Sequence, residues 1–402
     1  MRIAGIVAEY NPFHNGHAYH IEKTRERDGG CEATHVVAVM SGSFMQRGEP
    51  AVLTKFDRAR AALAGGADLV LELPAPWSLS SAEGFAYGAV SLLEALGCVD
   101  YLSFGSEAGA LAPLERAVNA METERFATLL KYFMDTGISF PEAQQKALTE
   151  VAGATCAAVL STPNNTLAIE YIKALRRLHS PMRPFTVGRY KVEHDSEVPL
   201  GNLASATYLR GLLRSDRMVA AFPFMPPPCV ASLSEAAQAG RVCADATRME
   251  RAVLSKLRTL TMDDIAALPG ISEGLEHRVY NAIRTAPDLA TLENAIKTKR
   301  YPLTRVRRLI WAAYLGIPNT YTGAQPPYLR VLGTNSRGKE ILSAAKPTLP
   351  LIHRASQVAK LGEDIQALWE LENRATDLHA LAFPNPLPCG ADCTTGLVRG
   401  EG

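Results

Sequence analysis

The sequence predicts an α/β protein, built on a parallel, doubly wound sheet and followed by a mainly helical carboxyl-terminal part. Three observations carry that expectation. In the first half, short β-branched or aliphatic runs alternate with helical patterns at strand–helix–strand spacing. Polar, glycine-bearing loops follow the first, second and fourth of these runs, where such sheets bind ligands. Beyond the proline-rich stretch "FPFMPPPC", Phe222 to Cys229, the pattern turns helical.

The expected strands are Ile3–Ala8, His35–Met40, Asp68–Leu73, Asp100–Phe104 and Phe185–Tyr190. The helices expected between them are Gly16–Glu26, Phe56–Ala64, Ala82–Leu96 and Pro163–Leu178. Leu111–Thr155 reads as helical throughout, an excursion from the sheet. Proline removes a backbone donor and fixes φ, so Phe222–Cys229 is expected to be neither helix nor central strand and to mark a domain boundary. The resulting division is a sheet-bearing domain over 1–221, a mainly helical domain over 229–388 and a flexible glycine-rich tail over 389–402. "YLRVLG", from Tyr328, is the strand expected within the second domain.

Composition narrows the function classes. Of the 402 residues, 47% are hydrophobic and 21% charged, enough apolar content for a substantial core. The net charge of +1 means that any nucleic-acid surface must be a local patch. Seven scattered cysteines make no disulfide framework, and Cys389 and Cys393 lack the second Cys or His pair of a zinc site. The opening run "RIAGIVA" is too short for a signal peptide, and no run reaches membrane-spanning length, so the chain is expected in the cytoplasm.

The first loop, "EYNPFHNGHAYH", asks for an explanation. A turn needs Asn, Pro and Gly, but not His14 and His17 on either side of Asn15-Gly16. A helix starting near Asn15 presents free N–H groups that favour an anion. Gly16 has no Cβ and lets a phosphate come close. Two flanking imidazoles can then donate to phosphate oxygens as charge grows at an attacked α-phosphate. The bland alternative is a capped helix with two partly exposed histidines. A metal reading would use His14, His17 and His20, spaced by three, but His14 precedes the turn and no carboxylate completes an H-E-x-x-H pattern. Magnesium carried on ATP phosphates is favoured over a metal held by the protein.

Other motifs gain meaning from that one. In "SATYLR", Ser205 suits an N-cap and leaves Arg210 a turn and a half into a helix, where it reaches a leaving pyrophosphate. Asn164 and Asn165 follow Pro163 at a helix start and either read an adenine or ribose edge or cap the helix. Arg189, in "TVGRY", contacts phosphate or solvent. "GTNSRGKE", Gly333 to Glu340, nearly spells a P-loop, yet Glu340 stands where a hydroxyl should reach magnesium. No G-x-G-x-x-G follows the first strand, which disfavours a dinucleotide. "KTKRYPLTRVRR" gathers Lys297, Lys299, Arg300, Arg305, Arg307 and Arg308 around Tyr301, as a solvated face or as an RNA patch with an aromatic that could stack on a base.

In order along the chain, "GIVAEYNPFHNGHAYH", "AVMSGSFMQRGEPA", "ADLVLELP", "SAEGFAYGAV", "FGSE", "PNNTLAIEY", "SATYLR", "KTKRY" and "RVLGTNSRGKE" resemble the bacterial tRNA(Met) cytidine acetate ligases, an HxGH nucleotidyltransferase-like family. The likeness runs from Met1 to about Pro388. It implies a Rossmann-like nucleotidyltransferase (HUP-type) sheet. It implies that acetate and ATP give acetyladenylate and pyrophosphate, and that the wobble cytidine of elongator tRNA(Met) takes the acetyl group as N4-acetylcytidine. It also implies an ATP site over Val7, Ala8, Glu9, Tyr10, Asn11, Pro12, Phe13, His14, Asn15, Gly16, His17, Ala18, Tyr19 and His20, with Gly105, Arg189 and an asparagine of "PNN", Asn165 being preferred to Asn164. Beside it, His14, His17 and Arg210 are the expected catalytic groups and Ser205 an expected ATP contact. Two positions depart from the family pattern: Ser43 where Asn or Asp is usual, and Tyr208 where a smaller aliphatic residue is usual. Rival readings are transfer of AMP to a phosphorylated small molecule by the same loop, or RNA binding beside a non-catalytic ATP pocket.

Overall fold

In the computed structural model, the described residues are 1–188, 199–272 and 274–400. The chain opens with β1 (Ile3–Ala8), α1 (Asn15–Arg25), β2 (His35–Ser41), α2 (Lys55–Ala64), β3 (Leu69–Leu73), α3 (Ala82–Leu96) and β4 (Tyr101–Ser106). Three helices of the expected excursion follow, α4 (Leu111–Met121), α5 (Glu124–Asp135) and α6 (Phe140–Ala152), then α7 (Pro163–Arg177) and β5 (Arg183–Gly188). The five strands run parallel in the order β3-β2-β1-β4-β5. That order reverses direction between β1 and β4, which creates a crevice at their carboxyl ends.

The aliphatic runs are long because the sheet is covered on both faces. Side chains alternate along a strand: Val37 and Val39 pack with α3 and α7, while Val36, Ala38 and Met40 pack with α1 and α2. β5 starts at Arg183, before the expected Phe185. Pro184 is tolerated within it because β5 is at the edge of the sheet, where a missing donor costs little.

The rest of the chain includes α8 (Ala206–Arg214), α9 (Pro227–Gln238), α10 (Glu250–Arg258), α11 (Leu275–Thr285), α12 (Leu289–Ile296), α13 (Leu303–Leu315), β6 (Leu329–Thr334), α14 (Glu363–His379) and β7 (Val398–Arg399), with a helix over Ser336–Ala344 between β6 and α14. From α10 to α13 the helices bury their own core of Val253, Leu257, Ile283, Leu292 and Trp311, which also takes in Phe44 and Leu79 from the first part.

Three expectations need correction. Phe222–Cys229 is not free of helix: Pro227 and Pro228 form the first turn of α9, where no intrahelical donor is needed, and Cys229 is buried against α2. The chain then returns to the first sheet, since β6 pairs antiparallel with β3. Nor is the tail from Cys389 loose. Asp392 is buried in ion pairs with Lys55 and Arg330, and Val398–Arg399 pairs with β6. Glycine content alone had suggested disorder; a buried countercharge outweighs it. Among the described residues no helix is long and apolar enough to cross a membrane.

Candidate active site

A cavity of about 770 Å³ opens at the carboxyl ends of β1 and β4. That volume suits a nucleotide together with a small second substrate. Its wall joins the β1–α1 turn, Gly105 at the end of β4, Asn164 at the start of α7, Ser205 and Arg210 of α8, and Thr304 and Arg308 of α13.

At the amino terminus of α1 the two histidines cap the helix reciprocally. His14 Nδ1 accepts the Gly16 N–H at 3.1 Å, and His17 Nδ1 accepts the His14 N–H at 3.2 Å. Each Nδ1 is therefore a lone-pair acceptor, which puts the proton of each neutral ring on Nε2. Glycine is required at position 16 because a Cβ there would lie 2.9 Å from His14 Cε1. Tyr10 and Phe13, both buried, wedge their rings against His17, at centroid separations of 4.9 Å and 5.4 Å. His20 turns aside to Ser103 Oγ at 2.9 Å, away from any three-histidine cluster. Among the described residues no three His, Cys, Asp or Glu side chains converge as a metal site.

Ser205 caps α8 by accepting the Tyr208 N–H at 3.0 Å. Arg210 is nearly buried, and its guanidinium is held by the Asn11 carbonyl at 3.1 Å, by Thr207 Oγ1 at 3.1 Å and by Glu49 at 3.2 Å. The chain reversal after β1 is thus tied to α8, some 200 positions away. Arg58 is fully buried and donates to the carbonyls of Glu9, Ser41 and Gly42, fixing the ends of β1 and β2 together. Burial pushes its pKa down to about 10, well above neutrality. Burial also raises the Glu9 carboxyl; the Gln46 N–H opposes this, Glu49 adds to it, and Arg210 and Arg58 counter it.

The cavity gathers most, not all, of the expected residues. Val7, Ala8, Glu9, Tyr10, Asn11, His14, Gly16, His17, Tyr19 and His20 line it. Phe13 instead fills the core, and the Asn15 amide donates to the Asn202 and Pro223 carbonyls. Pro12 and Ala18 are also outside the lining. Of the asparagine pair it is Asn164 that lines the cavity; the preferred Asn165 is buried, with Oδ1 accepting the Ala108 N–H at 3.0 Å. Arg189 lies outside the described residues. Ser43 is buried and apart from the lining.

The basic run divides. Tyr301 is buried beneath the Arg305 guanidinium and so is not a stacking platform. Arg305 donates to the Gly270 carbonyl, and Arg307 pairs with Glu293 at 3.0 Å. Lys297 and Lys299 are exposed, whereas Arg308 reaches the cavity. Gln46, Arg47, Glu49 and Thr304 also line the cavity without having been singled out, although "SGSFMQRGEP" was expected to contribute a loop. "GTNSRGKE" has a plain structural role. β6 runs antiparallel, so this loop falls at the opposite edge of the sheet, where Asn335 caps a helix and Glu340 meets His35.

A 3-2-1-4-5 sheet, with an imidazole-capped helix at its switch point and an arginine on a second helix opposite, defines a nucleotidyl transferase. The sequence matches the HIGH Nucleotidyl Transferase family over residues 1–390. Among curated relatives, the tRNA(Met) cytidine acetate ligase of Acetivibrio thermocellus is 37% identical over 99% of this chain and 100% of its own length. That of Alkaliphilus metalliredigens is 37% identical over 96% and 95%. The apo crystal structure of Thermotoga maritima TmcAL superposes over the whole of both chains with a TM-score of 0.93 at 32% identity. The crystal structure of the same protein bound with alpha-thio ATP does so with 0.91 at 31%. The chain belongs to the tRNA(Met) cytidine acetate ligase family.

Proposed function

We propose that this protein couples acetate to AMP, releasing pyrophosphate, and passes the acetyl group to N4 of the wobble cytidine of elongator tRNA(Met). The observation that carries the reading is the reciprocal cap at α1. It orients two imidazoles in the wall of a nucleotide-sized cavity, beside backbone N–H groups suited to phosphate. The names of the relatives and the nucleotide bound to the Thermotoga protein support it.

Acetate is a poor acyl donor, and adenylation gives it a good leaving group. In this scheme Nε2–H of His14 and His17 meets the charge that builds at the α- and β-phosphates, and Arg210 takes the departing pyrophosphate. Magnesium travels on the triphosphate and would supply further neutralisation there. Val7, Ala8, Tyr10, Asn11, His14, Gly16, His17, Tyr19, His20, Gly105, Asn164 and Ser205, all in the cavity wall, hold the nucleotide. The sheet-bearing part serves ATP and the helices after residue 246 serve tRNA, through Lys297, Lys299 and Arg300, in the cytoplasm where both substrates occur.

The test is mass analysis of nucleosides from elongator tRNA(Met) incubated with protein, ATP and isotopically labelled acetate. Labelled N4-acetylcytidine is the expected product, together with ATP–pyrophosphate exchange that requires acetate. Exchange that requires a phosphate ester instead would favour AMP transfer and refute the reading.

A further inference from the structure

Gln46 is gripped from both sides. Its N–H donates to Glu9 Oε1 at 2.7 Å, and its carbonyl accepts from Arg308 Nη1 at 3.3 Å. One residue thereby holds a carboxylate from the end of β1 and a guanidinium from α13 within about 10 Å of each other. Both groups line the cavity, at the end closed by α13, where Thr304 also contributes.

Among the described residues Glu9 has no cation within ion-pair distance; its charged surroundings are Glu49, Arg210 and Arg58. Arg308 has no carboxylate within that distance, and the charge that acts on it is another cation, Arg305. Partly buried groups of this kind are costly unless a ligand completes them. A carboxylate in the wall opposes a triphosphate, so Glu9 is poorly explained as an ATP contact. A cytidine nucleotide answers both charges. Its exocyclic amine gives hydrogens to a carboxylate, and its backbone phosphate takes a guanidinium.

Resting on the ligase reading above, we propose that this end of the cavity is the acceptor subsite, with Glu9 receiving N4–H of the splayed-out cytidine and Arg308 holding that nucleotide's phosphate. The N4 lone pair adds to the acetyl carbonyl carbon. The bond from that carbon to the adenylate oxygen breaks, and AMP leaves with the electron pair. The N4 proton passes to the Glu9 carboxylate and then to water. Burial, which raises the affinity of Glu9 for a proton, suits that step. Uridine, with a carbonyl in place of the amine, would meet the carboxylate with a repelling oxygen.

The experiment separates the two half-reactions, using full-length protein, tRNA(Met) transcript and synthetic acetyladenylate alongside acetate-dependent ATP–pyrophosphate exchange. Glu9→Gln keeps an oxygen for the Gln46 N–H, so a purely structural role would survive it. The expected result is a ~100-fold fall in transfer from acetyladenylate at saturating tRNA, at least about 30-fold beyond any fall in exchange. Arg308→Ala should raise the KM for tRNA about 10-fold, with Arg308→Lys between it and the wild type. Equal losses in both half-reactions would place the pair on the ATP side and overturn the proposal, as would unchanged transfer. Wild-type protein that shows neither exchange with acetate nor transfer would overturn the ligase reading and this subsite together.

Discussion

The imidazoles of His14 and His17 lie stacked, with centroids 3.8 Å apart and planes 24° from parallel. The stack and the two Nδ1 caps share the same side chains, so the rings that would meet phosphate are also those that start α1. Neither ring can turn without giving up a cap. The arrangement preorganises two donors before nucleotide arrives, which is where most electrostatic rate enhancement originates.

His17→Ala should therefore act twice. Loss of the donor is expected to slow acetate-dependent pyrophosphate exchange by about 10²–10³-fold. Loss of the cap on the His14 N–H should lower stability by about 1 kcal/mol, read by urea unfolding. A variant that unfolds normally and still forms acetyladenylate at the wild-type rate would remove His17 from the chemistry.

How much of this was legible beforehand follows from what each signal rests on. β1 to β4 were readable because strands buried on both faces must be apolar throughout, and the switch-point loop because Asn, Gly and His recur there at fixed spacing. Gln46, Glu49 and Thr304 were not. Gln46 and Glu49 belong to a loop expected at the site, but nothing local marks them within it; with Thr304, they reach the cavity only because a short two-strand ladder, Phe44–Met45 with Glu49–Pro50, folds back beneath α13. Asp392 was missed for the same reason. Its charged partners lie more than sixty positions away, at Lys55 and Arg330, and only tertiary structure brings them together.

The tail is tested through that network. Lys55 and Arg330 face Glu72 and Asp392 at 2.6–3.0 Å, all nearly inaccessible to water. Glu372, buried beside them, is pushed above the usual carboxylate range by burial and by Glu72, with Lys55 and the Ala75 N–H opposing the shift. Asp392→Asn leaves the two cations short of an anion and should cost about 3 kcal/mol in urea unfolding. Deletion of 389–402 should cost at least as much, whereas a dispensable tail would leave the midpoint where it is.

The exposed part of the basic run gives an ionic-strength prediction. Lys297 and Lys299 are open to solvent, while Arg305 and Arg307 are engaged with Gly270 and Glu293. Replacing both lysines with Ala should weaken tRNA binding and reduce the slope of log affinity against log salt by about 1 to 2. Filter binding across a salt series reads it; an unchanged slope would take this face out of the RNA interface.

His379 supplies a pH signature behind the same ladder. It is buried against Phe44 and Phe383 and hydrogen-bonds the Ala51 carbonyl at 2.7 Å through Nε2, which must carry the proton. Burial, with Arg58 and Lys55 nearby, lowers its pKa from 6.5 to about 4. Between those values the unfolded chain binds a proton that the folded one refuses. The stabilisation is therefore complete above pH 6.5 and is lost as pH falls towards 4, by about 3 kcal/mol in all. His379→Gln keeps a donor for Ala51 but does not titrate, so its unfolding free energy should lack this component of the acid slope. Parallel curves for the variant and the wild type across pH 7 to 4 would show that the acid sensitivity arises elsewhere.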